Sequence, residues 1–190
     1  FSEKMQKRFC QEVTVLKTVN HPHIIRYYDQ GSVIARDKNK NPKQIHFVIM
    51  EKADCNLVEY LRNESSVEYD MYSGQFRGLC EALAELHKYA IHRDIKPDNF
   101  LVISLEKNVK VNCKLTDFGS SRNINMLMTN MTFTKGIGTP RYMAPEILNK
   151  QHYKKPADIY SFAITMYEIF SWQECYPKKQ FKFPQYFYCP

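Results

Sequence analysis

One run of eight residues constrains this 190-residue chain more than any other part of its sequence. Residues 92–99 read HRDIKPDN, which places a carboxylate, a lysine and an amide at fixed offsets. A DFG tripeptide follows at 117–119 and an APE tripeptide at 144–146. Either tripeptide alone would mean little, but the octet and both tripeptides, in this order within 55 residues, are not expected by chance.

The hydrophobic pattern around these motifs predicts a strand-and-helix part followed by a mainly helical part. Helices are predicted at residues 2–19, 57–61, 71–87 and 158–170, and strands at 24–28, 44–50, 100–104 and 109–116. A hairpin loop is predicted at residues 36–43, a turn at 105–108 and a loop at 120–141. After residue 171 the apolar residues follow no helical or strand period. The change of pattern falls near residues 52–56.

Composition places the chain among ordinary globular proteins, with 44% hydrophobic and 25% charged residues. It contains no apolar run of about 18 residues, so we expect no membrane span. The six cysteines are scattered, without a C-x-x-C pair, which favours free thiols and a cytoplasmic location. The net charge of +7 comes from dispersed basic residues and is interpreted as a solvated surface. Because no nucleic-acid-binding motif is present, no nucleic-acid partner is expected.

In its three motifs the chain resembles the protein kinase catalytic domain, whose signatures are H-R-D-x-K-x-x-N, D-F-G and A-P-E in this order. The resemblance runs from about residue 9 to about residue 170. It implies an α+β, two-lobe kinase fold that is incomplete at both ends. Residues 1–52 would be the remainder of the N-terminal lobe, and residues 53–190 the C-terminal lobe. The implied reaction is transfer of the ATP γ-phosphate to a protein substrate, with Mg²⁺ or Mn²⁺ as the metal.

The resemblance assigns the catalytic roles to four residues. Asp94 would orient the substrate hydroxyl and accept its proton, and Lys96 would offset charge on the transferring phosphoryl group. Asn99 and Asp117 would supply oxygen ligands for the metal. Taken singly, Asp94 and Asp117 could instead be loop carboxylates that cap turns.

Other positions match the family's nucleotide site. Met50 corresponds to the gatekeeper, Glu51 and Ala53 to the hinge backbone that holds adenine, and Leu101 to the apolar floor under the base. Core packing is the alternative for each. Glu12 matches the helix glutamate that pairs with the ATP-binding lysine, with a solvated helix acid as the alternative.

Structural roles follow from the same resemblance. His92 and Phe118 resemble members of a stacked apolar spine, with Leu16 and Tyr27 as their expected partners. Asp158, at the start of the last predicted helix, would anchor the backbone of the octet.

Lys96 and Thr139 resemble residues of serine/threonine kinases rather than tyrosine kinases. The segments 117–122 (DFGSSR) and 138–146 (GTPRYMAPE) are most similar to the tyrosine-kinase-like group of serine/threonine kinases.

Arg93 precedes the expected base, and kinases of this kind are often activated when a loop phosphate pairs with that arginine. Arg122 would be a second partner for the phosphate. Thr134 is the first candidate for its site, followed by Thr132 and Thr129, and unmodified threonines are the alternative.

The resemblance breaks at both ends. No glycine-rich loop and no ATP-binding lysine occur, and the family's spacing from Glu12 points to positions before residue 1. The later helix whose arginine would pair with Glu146 is also missing, so we expect the chain alone to be weakly active or inactive. Two hypotheses stay open: a partial serine/threonine kinase domain, or a pseudokinase or truncated kinase acting as a binding or scaffold module. A nucleic-acid-binding module, suggested only by charge, is a remote third.

Overall fold

The computed structural model describes residues 3–36, 38–63, 69–103, 112–123 and 138–171. Within these ranges the helices are α1 (Glu3–Thr18), α2 (Leu57–Asn63), α3 (Tyr69–Leu86), α4 (Pro145–Leu148) and α5 (Lys155–Phe170). The strands are β1 (Tyr27–Arg36), β2 (Pro42–Met50), β3 (Cys55–Asn56), β4 (Ala90–Ile91), β5 (Phe100–Ile103), β6 (Asn112–Leu115) and β7 (Arg122–Asn123). The mixed α+β architecture predicted from the sequence is confirmed.

The strands form three small antiparallel sheets. β1 and β2 make a long hairpin, β5 lies between β3 and β6, and β4 pairs with β7. The β4–β7 pair matters most for the site because it joins the chain just before the octet to the chain just after the DFG motif. β1 ends at Arg36 and β2 begins at Pro42, so the connection falls inside the predicted hairpin loop 36–43 and the strands extend into both of its ends.

One apolar core joins α1, α3, α5 and the β5–β6 pair. The apolar face of α3, formed by Phe76, Leu79, Leu83 and Leu86, is buried in this core. The ring of Phe162 on α5 meets Phe76 edge-on, with ring centres 6.2 Å apart. α5 packs one face into the core while Ile159 and Tyr167 stay exposed, and its first turn lies at the octet.

Two predictions of local structure are wrong. Residues 24–28 are not a strand, because β1 starts only at Tyr27 and Ile24 makes a single bridge to Leu115. Ile24 and Ile25 are buried in the core, so their apolar character reflects packing rather than strand pairing. The segment 120–141 is not loop throughout, since it contains β7 and a 3₁₀ turn at Pro140–Tyr142.

Several expectations lie outside the described residues: the turn at 105–108, the threonines at 129, 132 and 134, and everything after residue 171. The division into units 1–52 and 53–190 stays a prediction. Of the six cysteines, the four in the described part (10, 55, 80 and 113) are free thiols. None of the described helices has the length and apolar character needed to cross a membrane.

Candidate active site

The octet is held in place by one buried carboxylate. Asp158, fully buried at the start of α5, accepts hydrogen bonds from the backbone N–H of His92 at 2.7 Å and of Arg93 at 2.9 Å. The predicted anchoring role of Asp158 is confirmed. A third partner, His87 Nε2 at 2.9 Å from Asp158 Oδ2, was not predicted.

Arg93 has a left-handed backbone with φ of 71°, which is uncommon for a residue with a side chain. Its backbone bond to Asp158 and the bond that its Nε donates to the Ser120 carbonyl at 2.7 Å hold this conformation. Strained backbone of this kind persists where the surroundings over-determine it, which is common at functional sites.

The ring of His92 links the two catalytic segments. Its Nε2 donates to the Thr116 carbonyl at 2.9 Å, and its Nδ1 accepts the Asp94 N–H at 3.3 Å. The same ring meets Phe118 edge-on, with centres 5.3 Å apart. Phe118 and Leu16 lie in one core cluster, against which Tyr27 packs. The His92–Phe118 part of the expected stack is therefore present, and it fixes the octet relative to the DFG motif.

The side chain of Asp94, the expected catalytic base, contacts two other polar side chains, those of Thr139 and Lys96. Thr139 donates its hydroxyl proton to Asp94 Oδ1 at 3.0 Å, and Lys96 Nζ donates to the Thr139 oxygen at 3.1 Å. Lys96 Nζ also lies 3.1 Å from Asp94 Oδ2. Gly138 makes this approach possible, because a Cβ there would lie 2.8 Å from the Arg93 carbonyl oxygen and its φ is +90°.

The two expected metal ligands are Asn99 and Asp117, and the N–H of Thr116, which precedes Asp117, donates to the Asn99 carbonyl at 3.0 Å. Asn99 is buried and donates its Nδ2 to the Asp94 carbonyl at 2.7 Å, which leaves its amide oxygen as the acceptor on offer. Asp117 is exposed and has left-handed φ and ψ of 62° and 67°. Amide and carboxylate oxygens are suitable ligands for Mg²⁺. This ion usually takes one or two protein ligands and also binds phosphate oxygens of the substrate. In the described ranges no three His, Cys, Asp or Glu side chains are grouped as they would be to hold a metal ion.

The side chain of Glu12, on α1, lies close to that of Asp117. A Cβ on Gly119 would lie 3.7 Å from Glu12 Oε2 and 3.5 Å from Asp117 Oδ1, so the two carboxylates face each other across this glycine. Burial, and then the charge of Asp117, raises the pKa of Glu12 above its usual value. A cation placed here would be attracted to both groups.

The residues expected around adenine line the junction between β2 and the β3–β5–β6 sheet. Met50 ends β2 and packs on the core, Leu101 is half-buried in β5, and Ala53 is half-buried between them. The Glu51 N–H donates to the Arg26 carbonyl at 2.8 Å, and its carboxylate pairs with Lys114 at 2.7 Å. The backbone N–H of Glu51 is therefore already used, and its backbone carbonyl is the group that could accept a hydrogen bond from adenine.

Basic side chains cluster beside the octet. Burial, followed by the positive charge of Arg122, lowers the pKa of Arg93 to about 10, and Arg8 of α1 adds to the effect. The backbone of Arg122 lies beside the start of the octet, because β7 pairs Arg122 with Ile91 of β4, and Arg8 adds a third positive charge that acts on Arg93. Thr134 and Thr132, the expected phosphate carriers, fall outside the described residues.

Sequence reasoning missed a second cluster, in which Tyr142 and Arg141 both bind Glu168. Glu168 is an acid within an otherwise apolar part of α5, and a buried acid requires partners. This single acidic residue in an apolar stretch was the sequence feature that could have indicated the cluster.

Comparison with known proteins agrees with the geometry. The profile of the protein kinase domain family matches residues 1–185. Similar proteins include the SNF1-like protein kinase ssp2 of Schizosaccharomyces pombe, 36% identical over 86% of this chain and 26% of that protein. Serine/threonine-protein kinase ATG1a of Arabidopsis thaliana is 31% identical over 88% of this chain and 25% of that protein. Serine/threonine-protein kinase 33 of Bos taurus is 32% identical over 83% of this chain and 32% of that protein.

The chain thus spans no more than about a third of the length of these three relatives. The profile match covers nearly all of its residues and includes the octet, the DFG motif and the APE motif. The chain belongs to the protein kinase domain family.

Proposed function

We propose that this chain carries the catalytic centre of an Mg²⁺-dependent protein serine/threonine kinase. The observation that carries the proposal is the contact of Asp94 with Thr139 and Lys96, at 3.0 and 3.1 Å. A carboxylate beside a lysine can receive a hydroxyl proton while the lysine offsets charge on a phosphoryl group. The names of the similar proteins, which are serine/threonine kinases, support the same reaction class.

In this proposal some residues act on the hydroxyl that accepts the phosphate, and others bind ATP, which donates it. Asp94 orients the substrate hydroxyl and takes its proton, and Lys96 neutralises charge at the transferring phosphate. Asn99 and Asp117 would hold Mg²⁺, which when bound offsets the charge of the phosphates. Met50, Ala53 and Leu101 would enclose the adenine of ATP, with the carbonyl of Glu51 as a hydrogen-bond acceptor.

The alternative is a pseudokinase or truncated kinase that binds partners without transferring phosphate. The paired carboxylates of Glu12 and Asp117 are the observation that keeps this alternative open. In an active kinase a lysine and Mg²⁺ would offset these charges; without such cations, burial and the charge of Asp117 keep the pKa of Glu12 raised.

The proposal is tested by phosphoryl transfer from γ-labelled ATP to serine, threonine and tyrosine peptides by the full-length protein. We expect label on serine and threonine, none on tyrosine, and loss of transfer when EDTA removes Mg²⁺. Transfer mainly to tyrosine would contradict the acceptor class. Binding of ATP without any transfer would favour the pseudokinase.

We also propose that a phosphate on Thr134, or failing that on Thr132 or Thr129, activates the site by pairing with Arg93 and Arg122. The repulsion between these arginines supports the idea, because an anion between them would relieve it. Thr134→Ala should lower activity, with Thr18→Ala, at an exposed position of α1 outside this loop, as the matched control. Full activity of Thr134→Ala, with no loop phosphate by mass spectrometry, would overturn this proposal for Thr134.

Two narrower assignments stay proposals. Membership of the tyrosine-kinase-like group rests only on segments 117–122 and 138–146, and the relatives named above do not single that group out. A cytoplasmic location rests on the scattered cysteines, four of which are free in the described part.

A further inference from the structure

A cavity lies between α1 and the β4–β7 pair, apart from the catalytic centre. Its volume is about 390 Å³, and its wall is mainly apolar. Val15 and Thr18 of α1 belong to one side, and Tyr89, Ala90 and Asn123 belong to the other. Cavities of this size and character hold small organic ligands. None of the residues proposed to bind ATP or Mg²⁺ lines it, so it is separate from the proposed nucleotide site.

One hydroxyl in the cavity wall has no hydrogen-bond partner. Ser121 is fully buried, and in the described part of the chain its Oγ is the buried side-chain polar atom that lacks a partner. Buried polar groups are rarely left unpaired in folded proteins, because the lost hydrogen bond is costly. A water molecule needs several polar partners to be held, and a mainly apolar wall does not favour it. An oxygen of a ligand would supply the missing acceptor.

The Ser121 hydroxyl is closed to solvent, so a ligand reaches it only after a side chain of the wall moves. Lys7 and Gln11 line the same cavity, at an exposed and a half-buried position of α1. Both have long side chains with several rotatable bonds, and rotamer changes are common on binding. We therefore expect the hydroxyl to become accessible without movement of the backbone.

The charges at the cavity favour an anionic ligand. Lys7 and Lys88 are the charged residues in its wall, and no acidic residue of the described ranges lines it. Lys88 pairs with Glu85 at 2.6 Å, which offsets its charge. Lys7 is therefore the residue assigned to the anion. A flat aromatic ring would fill the apolar part of the cavity, next to the ring of Tyr89.

We propose that this cavity binds a small aromatic anion, whose oxygen accepts the Ser121 proton while its charge lies near Lys7. Such a ligand would join α1 to the segment after the DFG motif, because the Ser121 N–H donates to the Phe118 carbonyl at 2.9 Å. The inference goes beyond the proposed function and does not depend on phosphoryl transfer, so its failure would leave the kinase proposal standing.

A fluorescent dye tests for this site in the full-length protein. Anilinonaphthalene sulfonate is an aromatic anion whose emission rises in apolar surroundings, and phenylnaphthylamine is a similar dye without the charge. The anionic dye should bind saturably, and saturating ATP with Mg²⁺ should not displace it. A lack of saturable binding would mean that the cavity holds only water, and displacement by ATP would place the dye in the nucleotide site. Either result would overturn the inference.

Variants assign the binding to named groups. Ser121→Ala should weaken binding of the anionic dye about three- to tenfold, as expected for the loss of one hydrogen bond. Lys7→Gln should weaken it about two- to fivefold and leave binding of the neutral dye unchanged, whereas Lys7→Arg should retain it. Thr14→Trp, which fills the cavity from α1, should abolish saturable binding of both dyes. Gln6→Trp, at an exposed position of α1 outside the cavity wall, is its matched control.

Protection of a thiol locates the bound dye. Cys10 is an exposed free thiol that lines the cavity, and Cys80 is an exposed free thiol of α3 that does not. The anionic dye should slow alkylation of Cys10 by iodoacetamide in proportion to the fraction of protein bound, and leave the rate at Cys80 unchanged. Mass spectrometry of the peptides measures both rates, and circular dichroism verifies that each variant is folded. Wild-type affinity in a folded Thr14→Trp variant, or a Cys10 rate that saturating dye does not change, would overturn the inference.

Discussion

Among individual residues, Thr139 makes the most specific contribution to the site, because its hydroxyl joins Asp94 to Lys96. Thr139→Val should lower kcat about 10- to 100-fold, since small displacements of a catalytic group are costly. The KM for ATP should change little. Steady-state kinetics would measure both, with Thr139→Ser as the variant that keeps the hydroxyl. Wild-type kcat in Thr139→Val would contradict this role.

Glu12 should make stability depend on pH. Its folded pKa is raised, so the folded state holds the proton more tightly than the unfolded state does. Ionised Glu12 therefore costs stability, and this cost is absent below its ordinary pKa of 4.5 and grows as pH rises through the raised value.

Urea unfolding at pH 4 and pH 7, without ATP or Mg²⁺, would measure the effect of Glu12. Glu12→Gln should be more stable than the wild type at pH 7 and equally stable at pH 4. Glu81→Gln, at an exposed position of α3, is the control and should show no such difference. A Glu12→Gln variant less stable than the wild type at pH 7 would argue against the facing carboxylates.

The polar motif residues were predictable because their order along the chain is distinctive. Asp94, Lys96 and Thr139 were each singled out from the sequence, and the fold brings them together. Glu168 and His87 were missed because their roles depend on partners far away in sequence. No local pattern shows that Glu168 faces Tyr142, or that His87 faces Asp158.

Among the secondary-structure elements, α5 matters most to the site, because Asp158 in its first turn holds the octet. Asp158→Asn replaces an acceptor oxygen by an N–H₂ group that opposes backbone donors. It should lower the free energy of unfolding by about 3 kcal/mol, measured by urea denaturation. Asp98→Asn, which changes an exposed aspartate of the octet, should change stability by less than about 0.5 kcal/mol. A similarly small effect of Asp158→Asn would contradict the anchoring role.

The helices α1, α2, α3 and α5 and the β5–β6 pair were predicted from their apolar patterns, whereas α4, with four residues, was not predicted. The start of β1 was mispredicted because Ile24 and Ile25 are apolar for a different reason, namely burial in the core. β4 and β7 have two residues each, too few to carry any period. Their pairing follows from the fold and has no local signal.

For the chain as a whole, the fold assembles one site from α1, the octet, the DFG motif and the turn after Gly138. His92 and Asp158 link these parts, so the site depends on packing across most of the described chain. This arrangement is expected if Asp94 acts on a substrate hydroxyl beside a bound nucleotide. An aspartate that only caps a turn would not require it.

The decisive measurement is the rate of phosphoryl transfer from ATP to a serine peptide by the full-length protein, compared among the wild type, Asp94→Asn and Asp98→Asn. Both changes convert an aspartate of the octet into its isosteric amide, but only Asp94 touches Thr139 and Lys96. Asp94→Asn should lower the rate at least about 100-fold, as expected for loss of a catalytic base, and Asp98→Asn should stay within about twofold of the wild type. Equal rates for Asp94→Asn and the wild type would contradict the assignment of this site.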